Sequence, residues 1–103
     1  MTNERNQFGL TVREMLILKS VFAKYPSVKS IIIFGSRAKG TFTTGSDIDL
    51  AIMDKLDSDE TLPNIKNDFE DSSLPYFIDL VCYPFLTDSD FKKHIDRVGV
   101  PLF

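Results

Sequence analysis

Four apolar residues, Ile31-Ile32-Ile33-Phe34, run straight into Gly35-Ser36. A β-branched and aromatic run this short, closed by glycine, reads as a buried strand. The pattern predicts a strand over 28–34, a turn at Gly35-Ser36 and a short helical piece over about 36–41. Upstream, Thr11 and Glu14 stand at capping-box spacing. Val12, Met15, Leu16, Leu18, Val21, Phe22 and Tyr25 then predict an amphipathic helix from 11 to 24, stopped before Pro26. Downstream, the pattern predicts a second strand over 48–53, a helix over 61–71 and a third strand over 76–83. A last helix opens at Thr87, carries Phe91, Ile95 and Val98 on one face, and stops at Gly99. Helices alternating with strands predict an α/β (α+β) fold, a two-layer sandwich on a small sheet. The pattern leaves strand direction open. Residues 1–10 read as a flexible lead-in, and Val100 to Phe103 as an apolar tail that covers the core or joins an interface.

At 103 residues the chain reads as one domain, 1–103. A 43% hydrophobic and 26% charged composition excludes global disorder. No apolar run approaches the roughly 18–20 residues that span a membrane. Met1 to Gln7 is polar and lacks the apolar core of a signal peptide, so a cytoplasmic location is expected. Cys82 and His94 are each the single residue of their kind. Intramolecular disulfides and zinc sites built on Cys or His clusters are therefore excluded. Net charge is −3, and Asp54 to Asp71 holds seven acids against two lysines, or −5, leaving +2 elsewhere. No basic stripe marks a duplex nucleic-acid binder.

The chemistry concentrates in two places. Asp47-Ile48-Asp49 opens the second strand, and alternation puts both carboxylates on one face, roughly 6–7 Å apart, while Ile48, Leu50 and Ile52 face the core. The pair repels, so a cation should compensate it. Asp79 interrupts an apolar strand, where an unpaired buried carboxylate is costly. If the third strand lies beside the second, Asp79 completes a cluster of three carboxylates. Oxygen-only ligands suit Mg²⁺ or Mn²⁺, which share remaining positions with water and phosphates. Gly35-Ser36 supplies the phosphate side: glycine admits close backbone approach, while the Ser36 hydroxyl and helix-opening N–H groups meet an anion. Arg37 and Lys39 add positive charge. The plainer alternatives are an edge position for Asp79, or an ion pair from Asp79 to Arg37 or Lys39. Ser46 reads as a loop residue bonded locally, His94 as an exposed helix residue, and Cys82 as a buried strand residue without a base to activate it.

Gly35-Ser36-Arg37-Ala38-Lys39-Gly40 followed by Ser46-Asp47-Ile48-Asp49-Leu50 resembles the signature of the nucleotidyltransferase superfamily typified by DNA polymerase beta. The closest likeness is to its minimal nucleotidyltransferases, many of which act as antitoxins beside a helical HEPN-domain toxin. The resemblance spans roughly 11–99 and implies a palm-like domain on a small mixed sheet. It implies that Gly35 and Ser36 hold the β- and γ-phosphates of ATP. It implies that Asp47 and Asp49 ligate two Mg²⁺ ions, with Mn²⁺ as a substitute. Asp79 would ligate the catalytic metal and take the proton of an attacking hydroxyl. Lys39 stands where members often carry arginine, which keeps the charge and loses the bidentate fork. The implied activity is transfer of AMP to a hydroxyl, such as a tyrosine on a partner HEPN toxin, in a homo- or hetero-oligomer. The rival expectation is a binding module that neutralises its partner by occlusion alone.

Overall fold

The strand that ends at Gly35 lies inside the sheet. The computed structural model of the chain describes residues 4–103. Its strands are β1 (Ile31–Phe34), β2 (Ile48–Ile52), β3 (Ile78–Cys82) and β4 (Val100–Pro101), in the spatial order β3-β2-β1-β4. β1 and β2 are antiparallel, joined by residues 35–47. β2 and β3 are parallel, with α3 (Thr61–Glu70) in the crossover. The sheet is therefore mixed, as the resemblance implied.

Period two divides the strand residues between two cores. Ile31, Ile33, Ile48, Leu50, Ile52, Leu80 and Cys82 pack with Leu18, Val21 and Phe22 of α1 (Val12–Phe22) and with Ile65 and Phe69 of α3. The Phe22 and Phe69 rings meet edge to face at 5.4 Å. On the other sheet face, Phe34 and Ala51 pack with Ile95 of α4 (Ser89–Val98). α4 covers only part of this face, and Asp47, Phe77 and Asp79 stand exposed.

The predicted capping box is present: Thr11 Oγ1 accepts from the Glu14 N–H, and Glu14 Oε1 from the Thr11 N–H. The last helix is capped by Asp88, one residue after Thr87, through the N–H groups of Asp90 and Phe91. Gly99 ends that helix in an extended conformation that leads into β4. The expected apolar tail thus begins as a strand on β1, with Leu102 in the core. Residues 4–10 correct the expectation of a flexible lead-in. Phe8 and Leu10 are buried, and their N–H groups donate to Asn6 Oδ1. Residues 1–3 of that expectation lie outside the described residues. No helix among the described residues is long and apolar enough to cross a membrane.

Candidate active site

β1 delivers the chain to Gly35 at φ +73°, a conformation that side chains resist. The left-handed turn starts α2 (Gly35–Lys39), a five-residue helix too short to carry much macrodipole. Its opening N–H groups are nevertheless available to an anion. Ser36 is half-buried here, and its hydroxyl makes no hydrogen bond among the described residues. Lys39 is exposed in the last turn of α2.

The register brings the carboxylates to this turn. Phe34 pairs with Asp49 across β1 and β2, and Asp49 pairs with Asp79 across β2 and β3. Paired residues on adjacent strands share a sheet face, about 4.8 Å apart along the hydrogen bonds. Asp49 lies against Gly35 so closely that a Cβ there would collide with its Oδ2, with Cγ only 3.0 Å away. Glycine is therefore required twice, by the backbone and by the neighbouring carboxylate.

Electrostatics link the three acids. Asp49 is half-buried and its carboxyl is pushed up to about 6, first by burial and then by the negative charges of Asp79 and Asp47. Asp47 and Asp79 are exposed. Some other acids have partners, since Asp54 caps the N–H groups of Lys29 and Ser30, Asp68 takes the Tyr25 hydroxyl and Asp96 takes the Tyr83 hydroxyl, while Asp57, Asp59, Glu60, Glu70, Asp71 and Asp90 have none among the described residues. Asp47, Asp49 and Asp79 accept no hydrogen bond and join no ion pair among the described residues. Three carboxylates without a cation, and without nitrogen or sulfur ligands among them, fit a hard divalent ion. They do not form a closed cage. Among the described residues no three acidic, His or Cys side chains stand close enough to hold an ion by themselves. Phosphate oxygens and water would complete the coordination.

Two expectations need correction. Arg37 is 1% exposed and turns its guanidinium to the carbonyls of Ser46 and Phe8, not to the Gly35-Ser36 turn. Its Nε and Nη2 donate to the Ser46 carbonyl at 3.0 and 2.8 Å, and Nη1 donates to the Phe8 carbonyl at 2.8 Å. The guanidinium also lies 4.4 Å from the Tyr76 ring centre and 5.3 Å from that of Phe42. A fork of donors on a flat cation suits this lining of carbonyls and rings. Arg37 thus fastens the loop that carries Asp47 to the N-terminal arm. Asp79 is the second correction. β3 is the outermost strand on its side, so the exposed Asp79 bears no burial cost, and that cost falls on Asp49. Neither Arg37 nor Lys39 pairs with Asp79 among the described residues. Ser46 bonds locally as expected, its Oγ accepting from the Thr43 N–H. His94 is half-buried, edge-on to Phe34 at 6.4 Å, and not exposed.

One candidate residue escaped the sequence reading. Phe77 is 66% exposed and lies level with Asp47, since its carbonyl accepts from the Ile48 N–H at 2.9 Å. It shares the acidic face with Asp79, two residues on. The signal available was the aromatic two positions before the unexpected strand aspartate.

Comparisons with known proteins bear on the family and the fold. Residues 17–103 match the protein-family model described as Polymerase beta, Nucleotidyltransferase. The chain is 32% identical over 95 residues to the probable protein adenylyltransferase MntA of Haemophilus influenzae, covering 91% of this chain and 82% of that protein. Its fold is similar to that of a toxin–antitoxin crystal structure with AMP-PNP, at a TM-score of 0.69 and 20% identity, over 86% of this chain and 72% of the other. It is also similar to a mutant of the toxin–antitoxin pair MntA-HpeT, at a TM-score of 0.66 and 15% identity, over 86% and 71%.

Proposed function

The chain belongs to the polymerase beta nucleotidyltransferase family, and from that membership we propose that it transfers AMP from ATP to a tyrosine hydroxyl on a partner HEPN-domain toxin. The observation that carries the reading is Asp49 paired with Asp79 beside Gly35, with Asp47 two residues before Asp49, three carboxylates with no cation partner among the described residues. The adenylyltransferase name of the Haemophilus relative and the toxin–antitoxin neighbours support the choice of AMP and of a toxin partner.

Gly35 and Ser36 receive the β- and γ-phosphates, the glycine by letting the backbone approach and the serine by donating its hydroxyl. Lys39 is free to turn toward the same phosphates, while Arg37 works behind them. Asp47 and Asp49 would hold two Mg²⁺ ions, and Asp79 would share one of them. Bound there, such ions stabilise the negative charge on the attacking and leaving oxygens. Asp79 orients the acceptor hydroxyl and takes its proton as the oxygen bonds to the α-phosphorus. The bond from that phosphorus to the bridging oxygen breaks, and pyrophosphate leaves past Ser36. Mn²⁺ would serve the same oxygen ligands.

The test is incubation with α-labelled ATP, Mg²⁺ and the helical partner. Label should appear on the partner and fall at least about a hundredfold in Asp47→Asn and Asp79→Asn. Label that persists in both variants defeats the reading. Full neutralisation by a folded Asp47→Ala/Asp49→Ala double variant would favour occlusion instead.

A further inference from the structure

Asp47 is held by its backbone alone. Its exposed carboxylate accepts no hydrogen bond among the described residues, and it stands just before β2 opens at Ile48. Both peptide groups that flank it are fixed. On one side the Ser46 carbonyl accepts from Arg37 Nε at 3.0 Å and from Nη2 at 2.8 Å. On the other the Ile48 N–H donates to the Phe77 carbonyl at 2.9 Å. A planar fork of two donors sets orientation as well as distance, so the Ser46–Asp47 peptide follows the guanidinium.

The N-terminal arm holds the guanidinium in turn. Arg37 Nη1 donates to the carbonyls of Phe8 at 2.8 Å and Gly9 at 3.4 Å. Arg5 ties the arm down: it donates to the Gly9 carbonyl at 3.0 Å and to the Tyr76 hydroxyl at 3.1 Å, and it pairs with Glu14 at 3.5 Å. The Tyr76 and Phe42 rings complete the socket. A Cβ on Gly9 would collide with the Phe42 ring and come within 3.0 Å of Arg37 Nη1. No carboxylate pairs with this buried cation among the described residues. Carbonyl dipoles and rings therefore set its place, and a shift of the arm reaches Asp47 through it.

We propose that Arg37 is a positioning residue for divalent-metal binding: clamped by the arm at Phe8 and Gly9, it sets the Ser46–Asp47 peptide and so the place of the Asp47 carboxylate beside Asp49. This rests on the metal-binding reading of the carboxylates above, and it makes the arm a working part of the site.

The probe is Mn²⁺, titrated into the full chain with and without the non-hydrolysable analogue AMP-PNP and followed by the electron spin resonance of the free ion. Asp47→Asn should lose the site. Gly9→Ala and Arg37→Lys should each raise the Mn²⁺ Kd about tenfold or more, as happens when the groups that orient a metal ligand are disturbed. Gly40→Ala carries similar backbone strain, at φ +80° against +74° for Gly9, with nothing within 4 Å to push, and should leave the Kd in place. If Gly9→Ala does not fold, Phe42→Leu loosens the same socket, with the same rise expected. In transfer from α-labelled ATP, the rate lost in Arg37→Lys should return at saturating Mg²⁺, which a general loss of structure would not allow. Folded Gly9→Ala and Arg37→Lys chains that bind Mn²⁺ as tightly as the parent overturn the inference. So does a Gly40→Ala chain weakened as much as Gly9→Ala, which would reduce the effect to instability. Weakened Mn²⁺ binding in the arm variants, with no label transferred by the parent, would leave the positioning role standing and defeat the transferase reading. A parent that binds Mn²⁺ no better than Asp47→Asn defeats both.

Discussion

Arg37 grips the carbonyl of Ser46 with two nitrogens, Nε at 3.0 Å and Nη2 at 2.8 Å, and Ser46 is the residue before Asp47. A cation buried this deeply serves the backbone. Arg37→Met should remove about 3 kcal/mol of stability, because it strands buried carbonyls of Ser46 and Phe8 that each cost about 1–3 kcal/mol unpaired. Urea denaturation measures this. Nucleotide binding without divalent ions should change little, whereas a loss beyond tenfold with stability intact would return Arg37 to the phosphates.

Two glycines with similar backbones separate strain from chemistry. Gly35 and Gly40 have φ of +73° and +80°, but a Cβ meets Asp49 at Gly35 and nothing within 4 Å at Gly40. Alanine at either position should cost about 1–3 kcal/mol in melting experiments. Only Gly35→Ala should also abolish transfer, since it displaces Asp49, the carboxylate proposed to hold metal. Equal retention of activity in both variants would remove the cradle from the site.

Asp49 makes metal-free stability depend on pH. Its carboxyl titrates near 6 in the fold and near 3.8 unfolded. Between those values the folded chain binds the extra proton, so stability is greatest below about 4 and declines as pH rises to about 6. Above that it is flat with respect to this group. Asp49→Asn should flatten the decline and raise the melting temperature at pH 7, while it removes transfer. A variant that melts lower at pH 7 would contradict the repulsion among the three acids.

The N-terminal arm is part of the core. Phe8 is 4% exposed, and its carbonyl accepts from Arg37. Phe8→Ala should cost about 3–5 kcal/mol by lost burial and cavity formation, read by chemical denaturation. A cost below about 1 kcal/mol would restore the view of this arm as a loose lead-in.

Patterning carried most of the fold because period and capping are local. Thr11 with Glu14, the run Ile31 to Phe34 and the alternation from Asp47 to Ile52 each act within a few residues, and each formed as read. The convergence of Asp47 and Asp49 is also local, since one strand carries both. What escaped depended on long-range partners. Nothing near Arg37 in sequence indicates that the Phe8 carbonyl and the Tyr76 ring will enclose it. Phe8 and Leu10 stand in a polar stretch whose burial is decided by the arm folding over α2. Val100-Pro101 became a strand only because β1 offered a free edge. The pattern around Asp79 leaves a buried cluster and an edge position both open, and the sheet order decides for the edge.

The short antiparallel link between β1 and β2 makes the site modular. The Gly35-Ser36 turn and two of the three carboxylates sit on one contiguous stretch, from Gly35 to Asp49, while the third arrives on a separate crossover. On the proposed function, the residues that handle the nucleotide from Gly35 to Asp49 form one cassette that changes in the crossover leading into β3 leave untouched.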